Sequence, residues 1–95
     1  MPSSQWPEAM THSKIEQIIE LYPNEEFMFA DGFDDAIIGV DEVNLRVVYD
    51  IDEIINILMR DEMTFDDAFD YYDYNIAGAY VGEKTPVFVR KIIEL

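Results

Sequence analysis

Hydrophobic positions along this chain change their spacing from segment to segment, and each change marks an element. Ile15, Ile18, Ile19 and Tyr22 stand at helical spacing behind Ser13 and Glu16, a Ser-x-x-Glu capping box, and Pro23 stops the run. This predicts a first helix over about residues 14–22. Phe27 and Phe29 alternate in the stretch that follows, which ends in the turn signal Asp31-Gly32. Residues 36–40 and 45–49 are rich in β-branched side chains and are joined by Asp41-Glu42-Val43-Asn44, a hairpin loop of ordinary length.

The period then returns to 3.6. Asp50 caps a second helix, with Glu53 three residues on, and Ile51, Ile54, Ile55, Leu58 and Met59 form one apolar face. Thr64 with Asp67 opens a third helix, whose inner face is expected to be Phe65, Ala68, Phe69, Tyr72 and Ile76, with Gly78 or Gly82 as its end. A last strand over about 87–89 follows Pro86, a residue tolerated at strand starts. The order α-β-β-α-α-β predicts an α+β fold, a small antiparallel three-stranded sheet packed against helices. Residues 1–12 show no period and are expected to be a flexible N-terminal arm, with Trp6 docked on the core. Residues 13–95 are expected to form a single compact domain.

Charge adds what periodicity leaves out. The chain of 95 residues carries a formal charge of −15. Between Glu25 and Asp73 stand 16 acids and only Arg46 and Arg60, a net of −14; five acids and four bases in the flanks supply the remaining −1. A field of that sign repels nucleic acid and anionic membrane and attracts basic surfaces, so neither is expected to bind directly. At 49% hydrophobic residues the chain is not expected to be disordered. No apolar run approaches the roughly 20 residues of a membrane span, and the start Met1-Pro2-Ser3-Ser4-Gln5 has no secretory pattern, so a cytoplasmic location is expected.

Catalytic chemistry finds little to stand on. There is no cysteine, hence no disulfide and no thiolate metal site, and His12 is the sole histidine. The four glycines form no phosphate loop. Asp31, Asp34 and Asp35 suggest a cation loop, but an EF-hand register from Asp31 puts Ala36 where glycine is required and Phe33 at a ligand position. The expectation is a non-enzymatic protein without cofactor or metal.

What remains is the third helix. Asp66, Asp70 and Asp73 recur at i, i+4 and i+7, Asp67 lies beside them, and Tyr71 and Tyr74 are interleaved. Neighbouring carboxylates at this spacing lie about 5–6 Å apart at Cβ, a scale comparable with phosphates along a nucleic-acid strand. Aspartate is a weak helix former, and like charges at i, i+4 cost a few tenths of a kcal/mol per pair, so helical stability does not explain the row. A solvated face of an acidic protein is the plain alternative. Asp34, Asp35, Asp41 and Glu42 are candidate supporting acids, with Tyr71 and Tyr74 as apolar anchors among the charges. Arg46 and Arg60 are read as local neutralisers, and Asn75 and Tyr80 as buried polar groups.

The run from Ala30 to Val40 (ADGFDDAIIGV), the run from Ala77 to Val87 (AGAYVGEKTPV), Arg46-Val47-Val48-Tyr49 and Ile57-Leu58-Met59 resemble a family of small acidic proteins encoded by tailed bacteriophages. The resemblance spans about residues 29–89 and brings a setting but no catalytic residues. Together with the charge it implies a protein that blocks a basic, nucleic-acid-binding host protein, as DNA-mimic inhibitors and some anti-CRISPR or anti-defence proteins do, in the host cytoplasm. The rival expectation is a homo-oligomeric phage accessory protein that sequesters a small ligand or serves as a scaffold, with Tyr71, Tyr72, Tyr74 and Tyr80 at its interfaces.

Overall fold

A computed structural model describes residues 13–79 and 82–93. The expected N-terminal arm, Trp6, His12 and Tyr80 lie outside the described residues. The elements are α1 (Lys14–Leu21), a 3₁₀ turn (Asp34–Ala36), β1 (Ile37–Asp41), β2 (Arg46–Asp50), α2 (Ile51–Arg60), α3 (Phe65–Tyr72), a π-helical turn (Asp73–Ala77) and β3 (Val87–Val89). The fold is a small α+β fold, three helices on a three-stranded sheet.

Each helix starts where a side chain satisfies its free amides. The Ser13 hydroxyl accepts from the Glu16 amide while the Glu16 carboxylate accepts from the Ser13 amide, a complete capping box. Thr64 Oγ1 accepts from the Asp67 amide at 3.2 Å. Asp50 also caps α2, but through the Asp52 amide at 3.1 Å, and Glu53 pairs with Arg60 instead of closing a box. Asp50 is buried, and Lys91 Nζ stands 3.5 Å from its second oxygen.

The strands form one sheet in the order β1-β2-β3. β1 and β2 are an antiparallel hairpin, whose register slips by one residue between Ile37 and Gly39. That bulge leaves Ile38 exposed and sets Val40 opposite buried Val47, so both Ile37 and Val40 reach the core. The turn is built by Asp41, whose carboxylate accepts from the amides of Val43 and Asn44 and from Asn44 Nδ2. These bonds hold the Asp41 carboxyl below its ordinary pKa. Leu45 closes the turn at φ 54°, an uncommon conformation for a branched residue.

The expected all-antiparallel sheet is corrected at its third strand. β3 pairs with β2 in parallel, in the register Val48–Val87, Tyr49–Phe88, Asp50–Val89. β2 runs directly into α2, and the chain comes back to the hairpin end before β3 begins. There Lys84 Nζ donates to the Leu45 carbonyl at 3.2 Å. A strand launched from that end beside β2 must run in the same direction, as crossover connections require. The Phe27 ring under Lys84 and the carboxylate of Glu25 at 3.5 Å fasten the same lysine to the segment after α1.

The core is Ile18 of α1, Ala36 and Ile37, Val47 and Tyr49 of β2, Ile54, Ile55 and Leu58 of α2, and Ala68 and Tyr72 of α3. Tyr49 is fully buried, and its hydroxyl accepts the Ala30 amide at 2.6 Å, which pins the 27–33 segment to the sheet. Burial raises the pKa of both Tyr49 and Tyr72.

Candidate functional site

α3 carries the acidic row, and its burial pattern defines how the row is shown. Only Ala68 and Tyr72 are buried in this helix. At 100° per residue they mark the inward line, which puts Asp66, Asp70 and Asp73 on the opposite side. All of these carboxylates, and Asp67, are exposed.

The expected inner face is corrected at two positions. Phe65 is 58% exposed and Phe69 38% exposed. Ala68 and Tyr72 are the buried positions of the helix, which at this length reaches the core with one narrow stripe. Phe65 and Phe69 are left on its shoulder, with ring centroids 6.3 Å apart, and Phe69 in turn contacts Tyr72, which meets Phe88 and through it Tyr49. The row of aspartates is thus bordered by exposed phenyl rings on one side and by Asp67 and half-exposed Tyr71 on the other.

All six bases lie among the described residues, and none stands on α3. Arg60 pairs with Glu53 at 3.1 Å, Lys91 with Asp50, and Arg90 approaches Asp52 at 4.0 Å. Lys84 is held as described, and Lys14 Nζ donates to the carbonyls of Asp35 and Ile37. Arg46 sits opposite Asp41 in the hairpin and helps to lower its pKa, the neutralising role expected of it. Among the described residues Asp66, Asp67, Asp70 and Asp73 therefore have no ion-pair partner.

An open cavity of about 300 Å³ adjoins the row. Met28, Phe29, Phe33 and Phe88 supply its apolar walls, Tyr71 and Ile76 form the side toward α3, and Asp31 and Asn75 add polar groups. Asn75 is exposed there, contrary to the buried role expected of it. The π-helical turn Asp73–Ala77 produces this side: its extra residue per turn changes the direction of Asn75 and Ile76 after the last α-helical turn. The sequence marked the cavity only indirectly, as a short apolar-rich segment, Phe27 to Phe33, with no element of its own.

The supporting acids divide. Asp34 and Asp35 are exposed in the 3₁₀ turn, just after Asp31, which lines the cavity as Tyr71 does. Asp41 and Glu42 lie at the far end of β1, about 13 Å along the strand by its rise per residue. Asp41 is engaged in the turn, and Glu42 accepts the Tyr22 hydroxyl, which raises the Tyr22 pKa. Tyr74 is 80% exposed, whereas Tyr72, expected at a subunit interface, is core. No group of three or more potential metal ligands occurs among the described residues, and no helix among them is long and apolar enough to cross a membrane.

Comparison with protein-family models, curated proteins and solved structures finds no match to this chain.

Proposed function

We propose that the protein is a non-enzymatic binding protein that presents α3 to a basic, nucleic-acid-binding host protein and competes with nucleic acid for it. The observation that carries this reading is the exposed row Asp66, Asp67, Asp70 and Asp73, without an ion-pair partner among the described residues and flanked by exposed aromatic rings. Uncompensated charge steers a basic partner and repels competitors of its own sign, and neighbouring aromatic rings supply the apolar contact that charge alone lacks. The bacteriophage resemblance supplies the setting: a host protein that guards or reads nucleic acid, met in the host cytoplasm.

The test is capture of host proteins on the immobilised chain, with duplex DNA as competitor and a salt gradient for elution. A partner that duplex DNA displaces, that elutes as salt rises, and that escapes the Asp66→Asn/Asp70→Asn/Asp73→Asn variant is the expected result. Equal retention by the wild-type chain and this variant would sink the proposal.

A further inference from the structure

The cavity beside α3 lies between two acidic arms. On one side is the turn with Asp31, Asp34 and Asp35; on the other is α3, where Asp67 stands four residues before Tyr71 and so neighbours it on the helix surface. Of these acids Asp31 lines the cavity itself; Asp34 and Asp35 follow it in the exposed turn, and Asp67 comes near through its neighbour Tyr71, which lines the cavity. The floor is hydrocarbon and ring, from Met28, Phe29, Phe33, Ile76 and Phe88. None of the six bases lines it.

We propose that this cavity is a binding site for a basic peptide segment of the partner, which inserts one aromatic side chain between Phe33 and Tyr71 while its flanking lysines and arginines meet the two acidic arms. The occupant follows from charge and size. An apolar floor with one lining carboxylate, further exposed acids on both neighbouring elements and no lining base disfavours anionic and phosphate-bearing ligands and suits an apolar group with cationic neighbours. An apolar cavity of about 150 Å³ takes up benzene, so about 300 Å³ accommodates an aromatic side chain with its stem. The anchor ring would complete a cluster whose own rings, Phe29, Phe33, Tyr71 and Phe88, are already in place. This inference rests on the acidic-face reading and adds to it a pocket for one side chain, so that affinity contains a part that salt does not screen.

Two synthetic peptides separate the parts: an arginine- and lysine-rich nonapeptide with a central tryptophan, and the same peptide with alanine there. Calorimetry is expected to give binding at least about tenfold tighter for the tryptophan peptide at low and at high salt. Methyl resonances of Met28, Ile76 and Ala79 should shift with it and stay unmoved by the alanine control. In Ala79→Trp, which fills the cavity from an exposed position, the two peptides should bind equally, at the affinity of the alanine peptide. Equal affinities on the wild-type chain, or shifts confined to residues outside the cavity, would overturn the pocket while leaving the acidic face standing. If neither peptide's affinity falls as salt rises, the acidic-face reading itself fails.

Discussion

α2 and α3 are consecutive helices of similar capping and opposite use. α2 buries Ile54, Ile55 and Leu58, and its single base, Arg60, is spent on Glu53 of the same helix. α3 buries only Ala68 and Tyr72, leaves Phe65 and Phe69 on its shoulder, and carries three aspartates, with Asp73 directly after it and no base among them. Both sequences show an apolar stripe at helical spacing, yet only one stripe is covered. A stripe states which side of a helix is apolar; how much of it the fold covers depends on the partner surfaces available. α2 has the hairpin, the 3₁₀ turn and α3 to pack against, whereas the shoulder of α3 stays exposed at Phe65 and Phe69.

Unequal burial has unequal consequences on substitution. Ile54→Ala removes a fully buried branched side chain and should cost about 2–5 kcal/mol in urea unfolding, while Phe65→Ala on the shoulder of α3 should cost under about 1 kcal/mol despite the larger side chain. Comparable losses at the two positions would erase the distinction between a buried and a presented helix. Thr64→Ala, which removes the cap of α3, should cost about 1 kcal/mol and reduce its protection against amide exchange before that of α2. Protection lost evenly across both helices would mean that they open as one unit.

Acid on α3 should then weigh against stability. The triple substitution Asp66→Asn/Asp70→Asn/Asp73→Asn is expected to leave the melting midpoint unchanged or raise it, by a few tenths of a kcal/mol per relieved pair, with a larger gain at low salt. A marked loss would show that these carboxylates hold the fold together rather than face a partner. The hairpin sharpens the contrast, because its acid is bonded. Asp41 has its pKa lowered by the Asn44 side chain and by the Asn44 and Val43 amides, so its stabilising contribution is fully present above the ordinary aspartate value, about 3.9. It is lost as pH falls through the lowered folded value. Asp41→Ala should therefore be less stable than the wild type near neutrality, with a gap that narrows below about pH 4 in acid titrations followed by circular dichroism.

Local chemistry was legible in the sequence; long-range geometry was not. Ser13 with Glu16, Thr64 and Asp50 announced the three helix starts because capping is decided within a few residues. Two runs of β-branched side chains around Asp41 to Asn44 announced the hairpin for the same reason. The direction of β3 depends on where Lys84 docks, a contact with Leu45 across 39 positions that no spacing rule reveals. The bulge at Ile38 and the π-helical turn each insert one residue into a regular pattern, and both bear on what the chain presents. Of the candidate site, the charge row was readable from four aspartates at helical spacing. The cavity was not, since Phe29, Phe33, Tyr71 and Phe88 come together only through the tertiary fold.

The parallel pairing of β3 also dictates an order of events during synthesis and refolding. β2 is the hub of the sheet, and one of its edges is satisfied at once by the neighbouring hairpin strand. Its other edge waits until α2, α3 and the loop after them have been made. The last partner is only Val87–Val89, and it closes a long loop, so sheet completion is the slow, entropically demanding step of this small domain. Until then Val48 and Tyr49 offer a bare backbone edge to any other extended chain, a growing copy of this one included.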